Sequence, residues 1–160
     1  MALVKGTNSY VDDNDALNYF EDRVNQNYES GYDVVLREQA LVTATQILET
    51  LPWMGRVSVD TQPLAFPRLL IYYDPARGVN VNISDGTEAP VRIQNAACEL
   101  AYHLLQNVTI LDDTGTVTDL SLGTIELTTI TSANLLPATV RRLVNPLLPR
   151  GGGRAVFVGG

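Results

Sequence analysis

The 160-residue chain carries 18 acidic against 11 basic side chains, a net charge of −7, and 45% of its residues are apolar. A chain of this length folds as one ordinary domain with no metal or disulfide to hold it, and its apolar content excludes wholesale disorder. An acidic body repels phosphate, which excludes most of the surface from nucleic-acid binding.

No apolar run approaches the ~20 residues of a membrane span. Met1-Ala2-Leu3-Val4 is too short for a signal peptide, and the lone Cys98 rules out an internal disulfide and suits a reducing cytoplasm. The charge is uneven. Residues 1–50 hold nine acids and three bases, residues 51–134 nine and four, and residues 135–160 four arginines and no acid.

The first predicted helix runs from Asp13 to about Asn27, capped by Asp12 or Asp13, with Asp15 near its positive end. Ala16, Tyr19, Phe20 and Val24 form its apolar stripe, and Asp12, Asp13, Asp15, Glu21 and Asp22 its wet face. Residues 26–33, with Ser30-Gly31, read as a loop. A second helix starts at Val34 or Arg37 and continues to Leu51, where Pro52 stops it. Its stripe is Ala40, Leu41, Ala44, Ile47, Leu48 and Leu51.

Residues 69–83 predict a β-hairpin with Asp74-Pro75-Ala76-Arg77-Gly78 as its five-residue loop. The third helix has Pro90 in its first turn and carries Ile93, Ala97, Leu100, Ala101, Leu104, Leu105 and Val108 on one face. Residues 109–131 are rich in Thr, Val, Ile and Leu and predict two or three short strands. Pro137 to Leu148 reads as a short helix interrupted at Pro146. Gly151-Gly152-Gly153 then leads into the strand-like Arg154-Ala155-Val156-Phe157-Val158, suited to adding onto another chain's sheet edge. The expected fold is therefore mainly α. It is a three-to-four-helix bundle over residues 1–149, with a hairpin insertion at 69–83 and a short β region at 109–131. An extended C-terminal arm, residues 150–160, follows.

Chemistry-bearing residues are sparse. One histidine, His103, and one cysteine cannot supply the usual four ligands of a zinc site. No nucleophile elbow, phosphate-binding glycine loop or calcium loop is present. No catalytic residue, metal or cofactor is expected, and the chain reads as a non-enzymatic assembly subunit.

Five patterns in order resemble a known family: Gly6-Thr7-Asn8-Ser9-Tyr10-Val11 before an acidic helix; Ala40-Leu41 and Ala44-Thr45 leading to Trp53 and Gly55-Arg56; Leu64-Ala65-Phe66-Pro67-Arg68; Pro90 followed by residues 96–101 (Ala-Ala-Cys-Glu-Leu-Ala); and Leu122-Gly123-Thr124-Ile125 before Leu143-Val144-Asn145-Pro146-Leu147-Leu148. Together they resemble the head–tail adaptor, or head-completion, proteins of tailed bacteriophages, a group often labelled DnaT-like single-stranded-DNA-binding proteins. The resemblance implies a ring, usually a dodecamer, in the virion neck between the portal ring and a tail or nozzle protein. Double-stranded DNA would pass through it without specific binding. The hairpin at 69–83 is longer than that family's usual link, and the glycine-rich end departs from it as well. The alternative reading is a single-stranded-DNA-binding replication protein.

Candidate interface residues follow from composition. Trp53 either anchors a partner or closes the second helix from within the core. Arg141 and Arg142 either meet acidic protein or phosphate, or remain a solvated helix end. Arg154, Val156, Phe157 and Val158 form the donor strand or a disordered tail. Phe66-Pro67-Arg68 is expected to seat the chain on the helices, with Arg68 bonding helix-end carbonyls.

Overall fold

Local capping sets the first element. In the computed structural model, which describes residues 2–24, 26–107 and 136–150, helix α1 spans Asp13–Glu21. The Asp12 carboxylate accepts the Asp15 amide hydrogen at 2.8 Å, and the Asp15 carboxylate accepts that of Asp12 at 3.0 Å. This reciprocal box satisfies two amides that the helix itself leaves unbonded.

The helix ends earlier than its apolar stripe suggests. Val24 is 86% exposed. The chain turns after Phe20 because Tyr28, fully buried, stacks against that ring at 4.7 Å. Tyr28 opens a one-turn helix, α2 (Tyr28–Gly31), where a loop was expected. Burying two aromatic rings outweighs continuing a polar helix, which gains little from propensity alone.

Helix α3 spans Val34–Glu49, with the Asp33 carboxylate accepting the Leu36 amide hydrogen at 2.9 Å. Helix α4 spans Val91–Gln106, with Pro90 at its N-cap and not inside its first turn. These two long helices form the principal pair, and α5 (Ala138–Val144) packs on α4. A single 3-10 turn, Asn145–Leu147, absorbs Pro146 where the α-helix stops. Leu41, Leu48, Ile93, Leu100, Val140, Val144 and Leu147 are fully buried between these elements. Truncating one such leucine to alanine costs about 2–5 kcal/mol.

Two small antiparallel sheets lie beside the helices. Strands β1 (Arg56–Val57) and β2 (Arg68–Leu69) pair through Arg56 with Leu69 and Val57 with Arg68, a contact not foreseen from the sequence. Gly55, at φ +73°, makes the turn into β1, and a Cβ there would lie 2.4 Å from the Leu69 carbonyl oxygen. The Phe66–Pro67 peptide is cis. Arg68 donates to the carbonyls of Met54 at 2.8 Å, Gly55 at 2.7 Å and Ala65 at 3.2 Å. Its acceptors are thus mainly turn carbonyls and not those of a helix end.

The expected hairpin is formed by β3 (Ile71–Asp74) and β4 (Val79–Asn82), with Tyr72 opposite Val81 and Asp74 opposite Val79. Its loop has four residues, one fewer than expected, because Asp74 belongs to the strand. The fold is thus mixed: a helical core carrying two short hairpin-like sheets. The β region expected at 109–131 and the arm beyond Arg150 lie outside the described residues.

Candidate functional site: a double groove

Strand alternation decides what β3 offers to solvent. Tyr72 and Asp74 point inward and are buried, whereas Ile71 is 64% and Tyr73 47% exposed. Asp74 is held by Arg92 of α4 at 2.8 Å, and the same guanidinium reaches the Arg142 and Leu143 carbonyls at the end of α5. One arginine therefore locks the hairpin, α4 and α5 together. Burial would push Asp74 up, but the Ala76 amide and the Arg92 guanidinium outweigh this and hold it below the usual carboxylate range.

The hairpin thus stands beside the 3-10 turn and leaves an open groove between them. It is lined by Met54, Ile71, Tyr73, Pro146, Leu148 and Arg150, among others, and has a volume of about 1090 Å³. A second groove adjoins it, sharing Pro75, Asn145 and Pro146 and adding Val91, Arg92 and Arg142. Among the described residues no acid lines either groove. In a chain of net charge −7 that is an uneven distribution, and it leaves this face apolar with arginines at its borders.

The ladder adds a polar feature. The Ile83 amide donates to the Leu70 carbonyl at 3.0 Å, and the register pairs Tyr72 with Val81. Antiparallel alternation then turns the backbone N–H and C=O groups of Ile71 and Tyr73 away from β4. Among the described residues no second strand pairs with this edge of β3, which carries exposed apolar side chains.

The residues singled out from the sequence are distributed around this face. Trp53 is half-buried. Its indole N–H donates to the Leu48 carbonyl at 3.0 Å, and its ring meets Phe66 edge-on at 5.0 Å, so it closes the end of α3 beside groove-lining Met54. Arg142 is exposed and lines the second groove. Arg141, also exposed, donates to the Leu136 carbonyl at 2.8 Å. Arg154, Val156, Phe157 and Val158 lie outside the described residues. Ile71, Tyr73 and Arg150 were not singled out from the sequence; the two-residue period of β3 was the available signal.

His103 is half-buried on α4, and burial pushes its pKa down. Its Nδ1 lies 3.3 Å from the Asn107 amide nitrogen, and its Nε2 has no hydrogen-bond partner among the described residues. Among those residues no cluster of His, Cys, Asp and Glu could hold a metal ion, and no helix is long and apolar enough to cross a membrane.

Comparison with protein families gives a match over residues 2–158 to the family described as "Putative DnaT-like ssDNA binding protein". The chain belongs to this family. Membership accords with the DnaT-like label attached to the resemblance; the family description does not mention a head–tail adaptor. No curated protein and no solved structure matches the chain.

Proposed function

We propose that the chain is a non-enzymatic assembly subunit that receives an apolar segment of another protein in the double groove. The observation that carries this reading is a largely apolar lining with no acid among the described residues, beside an edge of β3 that no described strand pairs. Edge strands with alternating apolar side chains take up extended peptides by adding one more strand. In its specific form, the proposal is a head–tail adaptor: copies of the chain arranged as a ring in a phage neck, bound to a portal ring and a tail or nozzle protein. The acidic body would then face passing duplex DNA and let it slide.

A second reading is single-stranded-DNA binding, and the family description favours it over the adaptor. It has one structural support, since Tyr73 and Arg150 line the same groove and could offer a stacking ring and a phosphate contact. Against it, five aromatic rings are spent inside: Tyr10, Phe20, Tyr28, Phe66 and Tyr72 are all buried.

Two measurements on one preparation separate the readings. Electron microscopy of the protein mixed with a candidate portal ring should show an added layer of density. Fluorescence anisotropy with oligo-thymidylate should show little binding at physiological ionic strength. A bare portal together with salt-dependent oligonucleotide binding would replace the adaptor by the DNA-binding reading.

A further inference from the structure

Helix α3 begins with three apolar residues, Val34, Val35 and Leu36, which are 49%, 57% and 46% exposed. Successive helical residues point about 100° apart, so these three wrap more than half of the helix circumference. The turn therefore projects beyond the core, which this helix first meets at Arg37 and Ala40. Acids bracket it in sequence. Glu29 and Asp33 are exposed and Glu38 is half-buried, whereas the one base among them, Arg37, is buried and paired with Asp13. The first turn of α3 is an apolar knob with an acidic border. The other end of the same helix carries the opposite surface. Trp53 closes it, and the Met54 amide donates to the Leu147 carbonyl at 3.0 Å, which sets Met54 in the lining of the first groove with Ile71 and Tyr73. Exposed Arg142 and Arg150 stand at the groove borders. From Leu36 to Glu49 the helix rises about 20 Å, so knob and groove lie at separate ends of one molecule.

We propose that the double groove takes up the first turn of α3 from a second copy of this chain. The proposal rests on the reading of the groove as the receiver of an apolar segment, and it names that segment. Charge complementarity carries it: the knob is apolar and bordered by acids, and the groove is apolar and bordered by arginines. Size agrees. One helical turn with its side chains occupies roughly 400–600 Å³, from its diameter and pitch. The two adjoining grooves have volumes of about 1090 and 780 Å³. The turn seats by side-chain packing against Met54, Ile71 and Tyr73, as the apolar face of a helix seats in a hydrophobic groove. Because the two surfaces lie at separate ends, each copy gives its knob to one neighbour and its groove to another. Such a head-to-tail contact closes into a ring or grows into a filament.

Sedimentation velocity of the full-length protein, at concentrations rising to millimolar, tests the contact with two variants. V35D/L36D charges the knob at positions where the helix N-terminus favours acids, and I71D/Y73D charges the groove at exposed positions. Circular dichroism checks that both variants remain folded. The unaltered chain should associate to trimers and beyond, and each variant alone should associate at least about tenfold more weakly. An equimolar mixture of the two variants should stop at heterodimers, since it holds one intact knob for one intact groove. A mixture that stays monomeric, or that grows past the dimer, would overturn the proposal. So would V35D/L36D that associates like the unaltered chain. If I71D/Y73D were impaired in that case, the groove would still be the receiver and another segment its occupant. If neither variant were impaired, or only V35D/L36D, the reading of the groove as receiver would fall as well. An unaltered chain that stays monomeric throughout would also overturn the self-contact, leaving the groove to be judged by its binding to the portal ring.

Discussion

Arg37 of α3 grips Asp13 of α1 with both prongs of its guanidinium, at 2.8 Å to Oδ1 and 2.7 Å to Oδ2. The arginine is only 8% exposed. Its remaining nitrogen donates to the Tyr32 carbonyl at 2.8 Å, and the group lies 5.7 Å from the Tyr28 ring centre. One side chain thus ties α1, α2 and the start of α3 into a unit. Asp13, which the sequence pattern places on the wet face of α1, belongs to the interior of this knot.

Replacing Arg37 with leucine removes the fork and leaves Asp13 and the Tyr32 carbonyl without their partner. The expected loss is about 2–4 kcal/mol in urea unfolding, toward the lower end for breaking a buried pair because the site is not fully dry. Arg37→Lys should lose less, yet still about 1–2 kcal/mol, since an ammonium cannot match both oxygens. Equal stability of the leucine variant would show that the pair contributes only position.

Stability should fall in acid through two carboxylates. Burial pulls Asp15 upward, but the hydrogen bond and charge of Lys5 at 2.8 Å, with the Asp12 amide, hold it below its ordinary value of 3.8. Asp74 is depressed as well. A carboxylate whose folded pKa is lowered contributes stability that is complete above the unfolded value and is lost as pH falls through the folded one. The thermal midpoint should therefore hold steady down to about pH 5 and drop below about pH 4. Asp15→Asn and Asp74→Asn should each lower the midpoint at neutral pH and flatten the acid limb.

Cys98 is buried on α4, and burial pushes its thiol up to about 12. The thiolate is the reactive form, so a disulfide reagent near neutral pH should label the native protein very slowly. Labelling should become rapid in denaturant. Fast reaction of the folded chain would mean that α4 opens locally.

Gly55→Ala should destabilise the protein by at least about 1–2 kcal/mol, because φ +73° is costly for any residue with a Cβ. The close approach to the Leu69 carbonyl would add to this by prying β1 from β2. The measurement is chemical unfolding, with Gly78→Ala as a comparison. Gly78 also has a positive φ of 66° but meets only the Tyr73 hydroxyl, at 3.9 Å, so its cost should be the smaller of the two.

The double substitution I71D/Y73D places two charges in the groove at positions that are already exposed. Thermal stability should change little, within about 0.5 kcal/mol. Binding to a portal ring, read by co-sedimentation, should fall at least about tenfold if the groove receives an apolar segment. Unchanged sedimentation would move the docking face elsewhere on the chain.

Much of the helical core was legible in the residues because burial imposes a period. Ala40, Leu41, Ala44 and Leu48 on α3, and Ile93, Ala97, Leu100, Ala101 and Leu104 on α4, recur at helical spacing, and all are buried. The hairpin was legible for a similar reason, since apolar residues flank a turn that only a glycine at φ +66° closes easily. The DnaT-like family label was also readable, because it resides in short ordered motifs.

What the chain pattern did not reveal depends on partners distant in sequence. The early end of α1 is decided by Tyr28, whose burial against Phe20 is a tertiary event. The pairing of Asp13 with Arg37 and of Asp74 with Arg92 joins residues from different elements. A carboxylate has the same sequence signature on a wet face as in such a pair. The groove arose in the same way. No stretch of sequence contains it, because Met54, Ile71, Tyr73, Pro146 and Arg150 meet only once the hairpin is locked to α4 and α5. Sequence by itself determined the helical faces, the turns and the charge balance, since local geometry and burial periodicity act on neighbours. Tertiary packing alone decided which charges are neutralised and which apolar residues remain open to a partner, because those outcomes depend on what is brought opposite each side chain.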